Sequence, residues 1–194
     1  AAAHRLIGII LLERGELQSA EAHTLEAIRI AQLTGNGAMR ARALSNLANI
    51  DLCQGEFEMA LRRYKQALTI QRELGDRAGA GVTLGNMANV SYDLGKHNDA
   101  AERYEQALII HREVGHIRFV GIVLGNAGAL ACVRGHLNEA RDMLTAAAAI
   151  HQDRGNKRSQ GFALINLGII AHLQGDLETA RRRYSSSLAF FSAS

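Results

Sequence analysis

Gly15, Gly55, Gly95, Gly135 and Gly175 recur every 40 residues without insertion or deletion. Ala20, Ala60, Ala100, Ala140 and Ala180 keep the same interval, as do Gly35, Gly75, Gly115 and Gly155. A fourth column holds Ala27, Ala67, Ala107 and Ala147, closed by Ser187. A strict period across almost all 194 residues is incompatible with one ordinary globular core. It calls for like units, each burying its apolar surface against its neighbours. The chain divides into repeats 1–40, 41–80, 81–120, 121–160 and 161–194 of a single domain.

Within each repeat the apolar spacing is helical. Leu44, Leu47 and Ala48 share one face, and after Gly55 a second stripe follows: Phe57, Ala60, Leu61, Tyr64, Ala67 and Leu68. Gly55 separates two helices, here termed A and B. Gly75 falls just past the second, at the position that favours a left-handed residue. With nineteen glycines and no proline, the helices are punctuated rather than kinked. Ala20, Ala27 and their equivalents are small where helices A and B cross. The expected fold is all-α: a right-handed superhelical solenoid of five stacked helical hairpins, about ten helices.

The segment LSNLANIDLCQGEFEMALRRYKQAL, Leu44–Leu68, resembles a tetratricopeptide repeat, in which Leu-Gly, Gly, Ala, an aromatic and Ala follow a large apolar residue at fixed offsets. Gly8, Gly128 and Gly168 keep the small residue of the Leu-Gly pair, and Ala48 and Ala88 replace it. Tyr64, Tyr104 and Tyr184 match the helix B aromatic. The longer period, with QRELGDR (Gln71–Arg77) as link, is similar to repeats of kinesin light chains, spindle-orientation adaptors and the sensor arms of bacterial signal-transduction ATPase regulators. The usual helix A aromatic is replaced by Asp51, Ser91, Ala131 and Ala171, a size exchange with the helix B tyrosines. An unpaired buried aspartate would be costly, so Asp51 is expected to accept a hydrogen bond from Tyr64.

Asparagine is a mediocre helix former, yet Asn46, Asn86, Asn126 and Asn166 hold one column of helix A. At about 100° per residue, Asn86 lies roughly 200° from the inward-pointing Leu84. Val82, Asn89 and Asp93 share its side. In a solenoid of this type that side lines the concave groove. An amide there can pair with the backbone of an extended peptide, or it can tie neighbouring A helices together; both roles can coexist. The candidate groove comprises Arg42, Asn46, Asn49 and Cys53 in the second repeat, and Val82, Asn86, Asn89 and Asp93 in the third. It turns apolar with Ile122, Ala129 and Val133 around Asn126, and with Phe162, Ile169 and Leu173 around Asn166. His172 falls beside it. Such apolar exposure marks an interface, unless residues further along a longer chain cover it.

Other chemistry is excluded or unsupported. A net charge of +3 is too small and dispersed for a nucleic-acid surface, and the Arg181–Arg183 run reads as a solvated helix face. LIGIILL, Leu6–Leu12, is too short to span a bilayer. Cys53 and Cys132, two repeats apart, are expected as free thiols of a reducing, cytoplasmic compartment. His111 and His151 occupy one column a full repeat apart, and His116 has no ligand-spaced partners, so these read as solvated or capping histidines and no metal is expected. GAGVTLG, Gly79–Gly85, follows no strand and is not a dinucleotide fingerprint. Gly85 and Gly125 are read instead as points of close helix approach.

No nucleophile, base and orienter recur as a set, so neither catalysis nor a cofactor is expected. The main expectation is a non-catalytic protein- or peptide-binding module in a larger regulatory or scaffold protein. The alternatives are a small-molecule or signal-peptide receptor arm controlling an attached effector domain, and a structural oligomerisation spacer self-associating through the C-terminal end around Phe190 and Phe191.

Overall fold

The computed structural model describes the backbone of residues 1–191 and the side chains of residues 1–190. It is all-α: α1 Ala2–Glu13, α2 Leu17–Leu33, α3 Gly37–Cys53, α4 Phe57–Glu73, α5 Arg77–Asp93, α6 His97–Glu113, α7 Ile117–Val133, α8 Leu137–Asp153, α9 Lys157–Leu173 and α10 Leu177–Phe191. The described residues contain no strand. From α2 to α9 every helix is 17 residues long, and three-residue connections join them, which accounts for the forty-residue period. The A helices α3 and α5 begin at Gly37 and Arg77, a turn before the repeat boundaries drawn at 41 and 81.

The connections are alike because one device closes each helix. After α4, Gly75 adopts φ +66°. Its N–H bonds to the Arg72 carbonyl at 3.1 Å, and the Asp76 N–H bonds to the Gln71 carbonyl at 2.8 Å. This Schellman arrangement satisfies the last carbonyls of the helix and needs a residue without a Cβ penalty at the left-handed position. Asp76 then caps α5 by accepting from the Gly79 N–H at 2.9 Å. Asn36 does the same for α3 and Asn156 for α9.

The helices form two compact units, residues 1–96 with α1–α5 and residues 97 onward with α6–α10. In the first unit Ala20, Leu47 and Ile50 form one buried cluster, and Ala41, Leu44 and Ala67 another. In the second, Ala131, Ala140, Leu144, Leu164, Leu167 and Ile170 pack together. Phe190, half-buried, packs against that cluster, while the Phe191 side chain lies outside the described residues. Ala20, Ala27, Ala60 and Ala67 are fully buried at the A–B crossings.

Close approach occurs at Gly128 and Gly168. A Cβ there would lie 2.7 Å from Leu144 Cγ and 2.6 Å from Tyr184 Cε1 respectively. At Gly125 a Cβ would meet only Ala147 Cβ, at 4.0 Å, so the expectation of a tight contact there is corrected. A Cβ at Gly125 would make an ordinary van der Waals contact and no clash.

Candidate functional site

The four asparagines of the column are half-buried, and within a unit neighbouring A helices meet along a seam, as α1 does with α3 and α7 with α9. What each amide does depends on the helix B residue that reaches into the seam. In the first unit Tyr64 of α4 is fully buried, and its hydroxyl donates to Asn49 Oδ1 of α3. The same phenol is hydrogen-bonded to the Asn86 side chain of α5. One tyrosine therefore ties two A helices through their amides. Burial pushes the phenol far above its ordinary range, and the Asn86 bond opposes that shift.

Asp51 does not accept from Tyr64, as the residue types had suggested. It pairs with Arg63, whose Nε lies 3.0 Å from its Oδ2. Arg63 precedes Tyr64 on α4, so its side chain takes a different direction and meets Asp51 in the last turn of α3. Burial raises the Asp51 carboxyl to about 6; Arg63 opposes this, while Glu21 and Glu56 add to it.

One repeat earlier the tyrosine is replaced by Thr24, whose side chain is too short to cross the seam. Both Thr24 Oγ1 and Asn46 Nδ2 are buried there without hydrogen-bond partners among the described residues.

On α8, between α7 and α9, the equivalent of Tyr64 is Leu144, and on α7 the equivalent of Asn49 is Ala129. Without the phenol and one amide, the seam between α7 and α9 opens into a recess of about 240 Å³. Its walls include Ile122, Asn126 and Ala129 from α7 and Ser159, Phe162 and Asn166 from α9, with Gly125 leaving space and Leu144 and His151 at the base. Asn166 Nδ2 donates to the Phe162 carbonyl of its own helix at 3.0 Å. Its Oδ1 accepts from no protein group among the described residues. Phe162 is 50% exposed, with the Arg158 guanidinium 6.0 Å from its ring centroid.

The structure thus brings Asn126, Phe162 and Asn166 together with Ile122 and Ala129. Ile169, Leu173 and Val133 are exposed on the same two helices, and His172 is exposed on α9; none of these four lines the recess. Arg42, Cys53 and Asp93 are exposed, while Asn46, Asn49, Asn86 and Asn89 are half-buried in the first unit. Sequence reasoning missed Gly125, Ser159 and the tyrosine-to-leucine exchange at 144. The pairing of Tyr64 with Asn49, against Leu144 with Ala129, was the available signal.

The histidines of the shared column are neither solvated nor capping. His111 is fully buried, with its ring stacked 5.0 Å from Phe119 and 6.1 Å from His116. His151 is buried too, and burial lowers its pKa while a hydrogen bond to the Gly121 backbone opposes the shift. Among the described residues no three His, Cys, Asp or Glu side chains are grouped to hold a metal ion. Cys53 and Cys132 are both unbridged. None of the described helices is long and apolar enough to cross a membrane.

Several solved structures share this fold. BtubC (BKLC) from P. vanneervenii matches with a TM-score of 0.86 at 23% identity, over 98% of this chain and 79% of that one. The putative kinesin light chain repeats of Podosopora anserina match at 0.76 and 16% identity, over 97% and 93% of the two chains. A Rap protein complexed with Competence and Sporulation Factor matches at 0.83 and 18% identity, over 97% of this chain and 53% of that one. At these identities the likeness is one of fold. No protein with a curated description matches the sequence. Tetratricopeptide repeats match over residues 1–73, 39–113 and 119–193, in a class of helical module typically devoted to protein interaction. With its hairpins, glycine stops and alanine crossings in that register, the chain belongs to the tetratricopeptide repeat family.

Proposed function

We propose that the chain is a non-catalytic peptide-binding module of a larger regulatory or scaffold protein, and that the α7–α9 recess is where it takes hold. The observation carrying this reading is the recess itself, where Asn126 and Asn166 flank an apolar hollow beside half-exposed Phe162. Amides recognise peptide backbone whatever its side chains, and the hollow accepts one apolar side chain of a partner segment. Exposed Ile169, Leu173 and Val133 extend the apolar surface along the same face. The fold shared with a Rap protein solved with a bound factor supports the reading.

The test uses the molecule's own alternative. Ala129→Asn with Leu144→Tyr installs the first unit's tie in the second. Linear peptides selected from a random library on the native chain should bind this double variant at least about tenfold more weakly, because the hollow is filled. Its thermal midpoint should stay at or above that of the native chain. Failure to select any peptide, or undiminished binding by the folded variant, would overturn the proposal.

A further inference from the structure

The opposite face of α7 borders a larger space, a cleft of about 800 Å³ between α6 and α8. Leu124, Leu130 and Ala131 of α7 form its floor. On the α8 side two positions of the lining carry smaller or uncharged side chains than their equivalents in other repeats. Where α4, α6 and α10 carry Arg63, Arg103 and Arg183, α8 carries Met143. Where they carry Gln66, Gln106 and Ser186, it carries Ala146. Met143 and Ala146 line the cleft from one side and Ala101 and Ile109 of α6 from the other.

Its charge is equally particular. One column of helix B reads Arg62, Glu102, Asp142 and Arg182, so the two walls of the cleft carry acid where the flanking B helices carry arginine. The next reversal is Lys65 to Glu105, and Glu139 adds a fourth carboxylate to the lining. Arg112 and Arg134 also line the cleft, and Arg134 donates to Asn98 Oδ1 at 3.3 Å. The lining is therefore net acidic on a chain whose overall charge is +3. The repeat does not require Glu102, Asp142 or Glu105, since Arg62 and Arg182 occupy the place of the first two and Lys65 that of the third.

From this we infer that the α6–α8 cleft docks a cationic amphipathic helix of a partner protein. Lysine or arginine of that helix meets Glu102, Glu105, Glu139 and Asp142, while its apolar stripe settles on the α7 floor. Small residues on both walls, Ala101 and Ala146, let a helical backbone approach closely, which suits helix-in-groove recognition. Charge complementarity decides between this occupant and a neutral or acidic helix. The inference stands apart from the α7–α9 recess, which uses the other side of α7.

Two labelled synthetic helical peptides of identical leucine and alanine pattern test it, one with lysine and one with glutamate at every polar position. Fluorescence anisotropy with the native chain should show the lysine peptide binding at least about tenfold more tightly, with affinity falling as salt rises. Glu102→Arg with Asp142→Arg copies the residues already present at positions 62 and 182, so the fold should tolerate it. That variant, with its helical circular dichroism unchanged, should lose at least about tenfold in affinity for the lysine peptide. Ala146→Gln, copying positions 66 and 106, should weaken binding by filling the cleft. Equal binding of the two peptides, no binding of either, or full retention by the folded arginine variant would overturn the inference.

Discussion

Replacing Tyr64 by alanine should lower stability by about 4 kcal/mol, as measured by denaturant titration followed by helical circular dichroism. The side chain is fully enclosed, so its removal leaves a cavity that the surrounding helices can only partly close. The loss has a polar part as well. The Tyr64 hydroxyl serves Asn49 and the Asn86 side chain, and both amides must find water or each other once it is gone. Tyr64→Phe separates the two contributions: it keeps the packed ring and should cost only about 1–2 kcal/mol. A loss in the alanine variant no larger than in the phenylalanine variant would show that the tie, and not the packing, is what the residue supplies. No loss in either would show that Tyr64 neither packs the seam nor ties α3 to α5.

Asp51 should make stability fall as pH rises. Its carboxyl titrates at about 6 in the folded chain, against an ordinary value of 3.8. Between those values the folded state holds a proton that the unfolded state has released, so raising the pH favours unfolding. Below the lower value both states are protonated and nothing is lost. Above the higher one the full cost of the buried charge is present, at most about 3 kcal/mol. Arg63, at 3.0 Å, softens this cost without cancelling it. Asp51→Asn removes the titration but weakens the pairing with Arg63. Relative to the native chain, the variant should gain about 1–3 kcal/mol between pH 4 and pH 7. Denaturant midpoints of the two proteins across that range give the difference directly. Glu26 and Asp176, whose pKa values are held low by Arg29 and by Thr179, contribute slopes of the opposite sign that cancel in the subtraction. A difference that does not change with pH would show that Asp51 is ionised at no cost.

The hairpins were legible in the sequence because a forty-residue period, a glycine after each helix and alanine at each crossing all express local requirements of the backbone. Gly75 is a good example. Its left-handed conformation follows from its place after α4 and needs no knowledge of what packs nearby. The site was harder to read because it depends on a residue from a third helix. Helix A alone places Asn86 away from Leu84, and the wheel cannot say that Tyr64 of the preceding helix B reaches round to meet it. The same gap produced the error at Asp51, since Arg63 and Tyr64 are adjacent in sequence and only their directions distinguish them. Buried His111 and His151 escaped for a related reason: an imidazole on a partly apolar helix gives no sign of which neighbouring ring or carbonyl will enclose it. At Gly125 the residue type suggested crowding, whereas the missing phenol one helix away had already created room.

Asn36 and Asp76 cap successive A helices in the same manner, each accepting from the N–H three residues on at 2.9 Å. Excising Gly37–Asp76 would join one such residue to the helix normally started by the other, so the splice recreates a junction the chain already uses. An extra residue inside a helix, by contrast, turns everything beyond it on that helix by about 100° and throws its inward face outward. Length in this protein is therefore quantised: whole hairpins can be lost or duplicated by recombination in a single event, while a single-codon insertion within a helix cannot be absorbed.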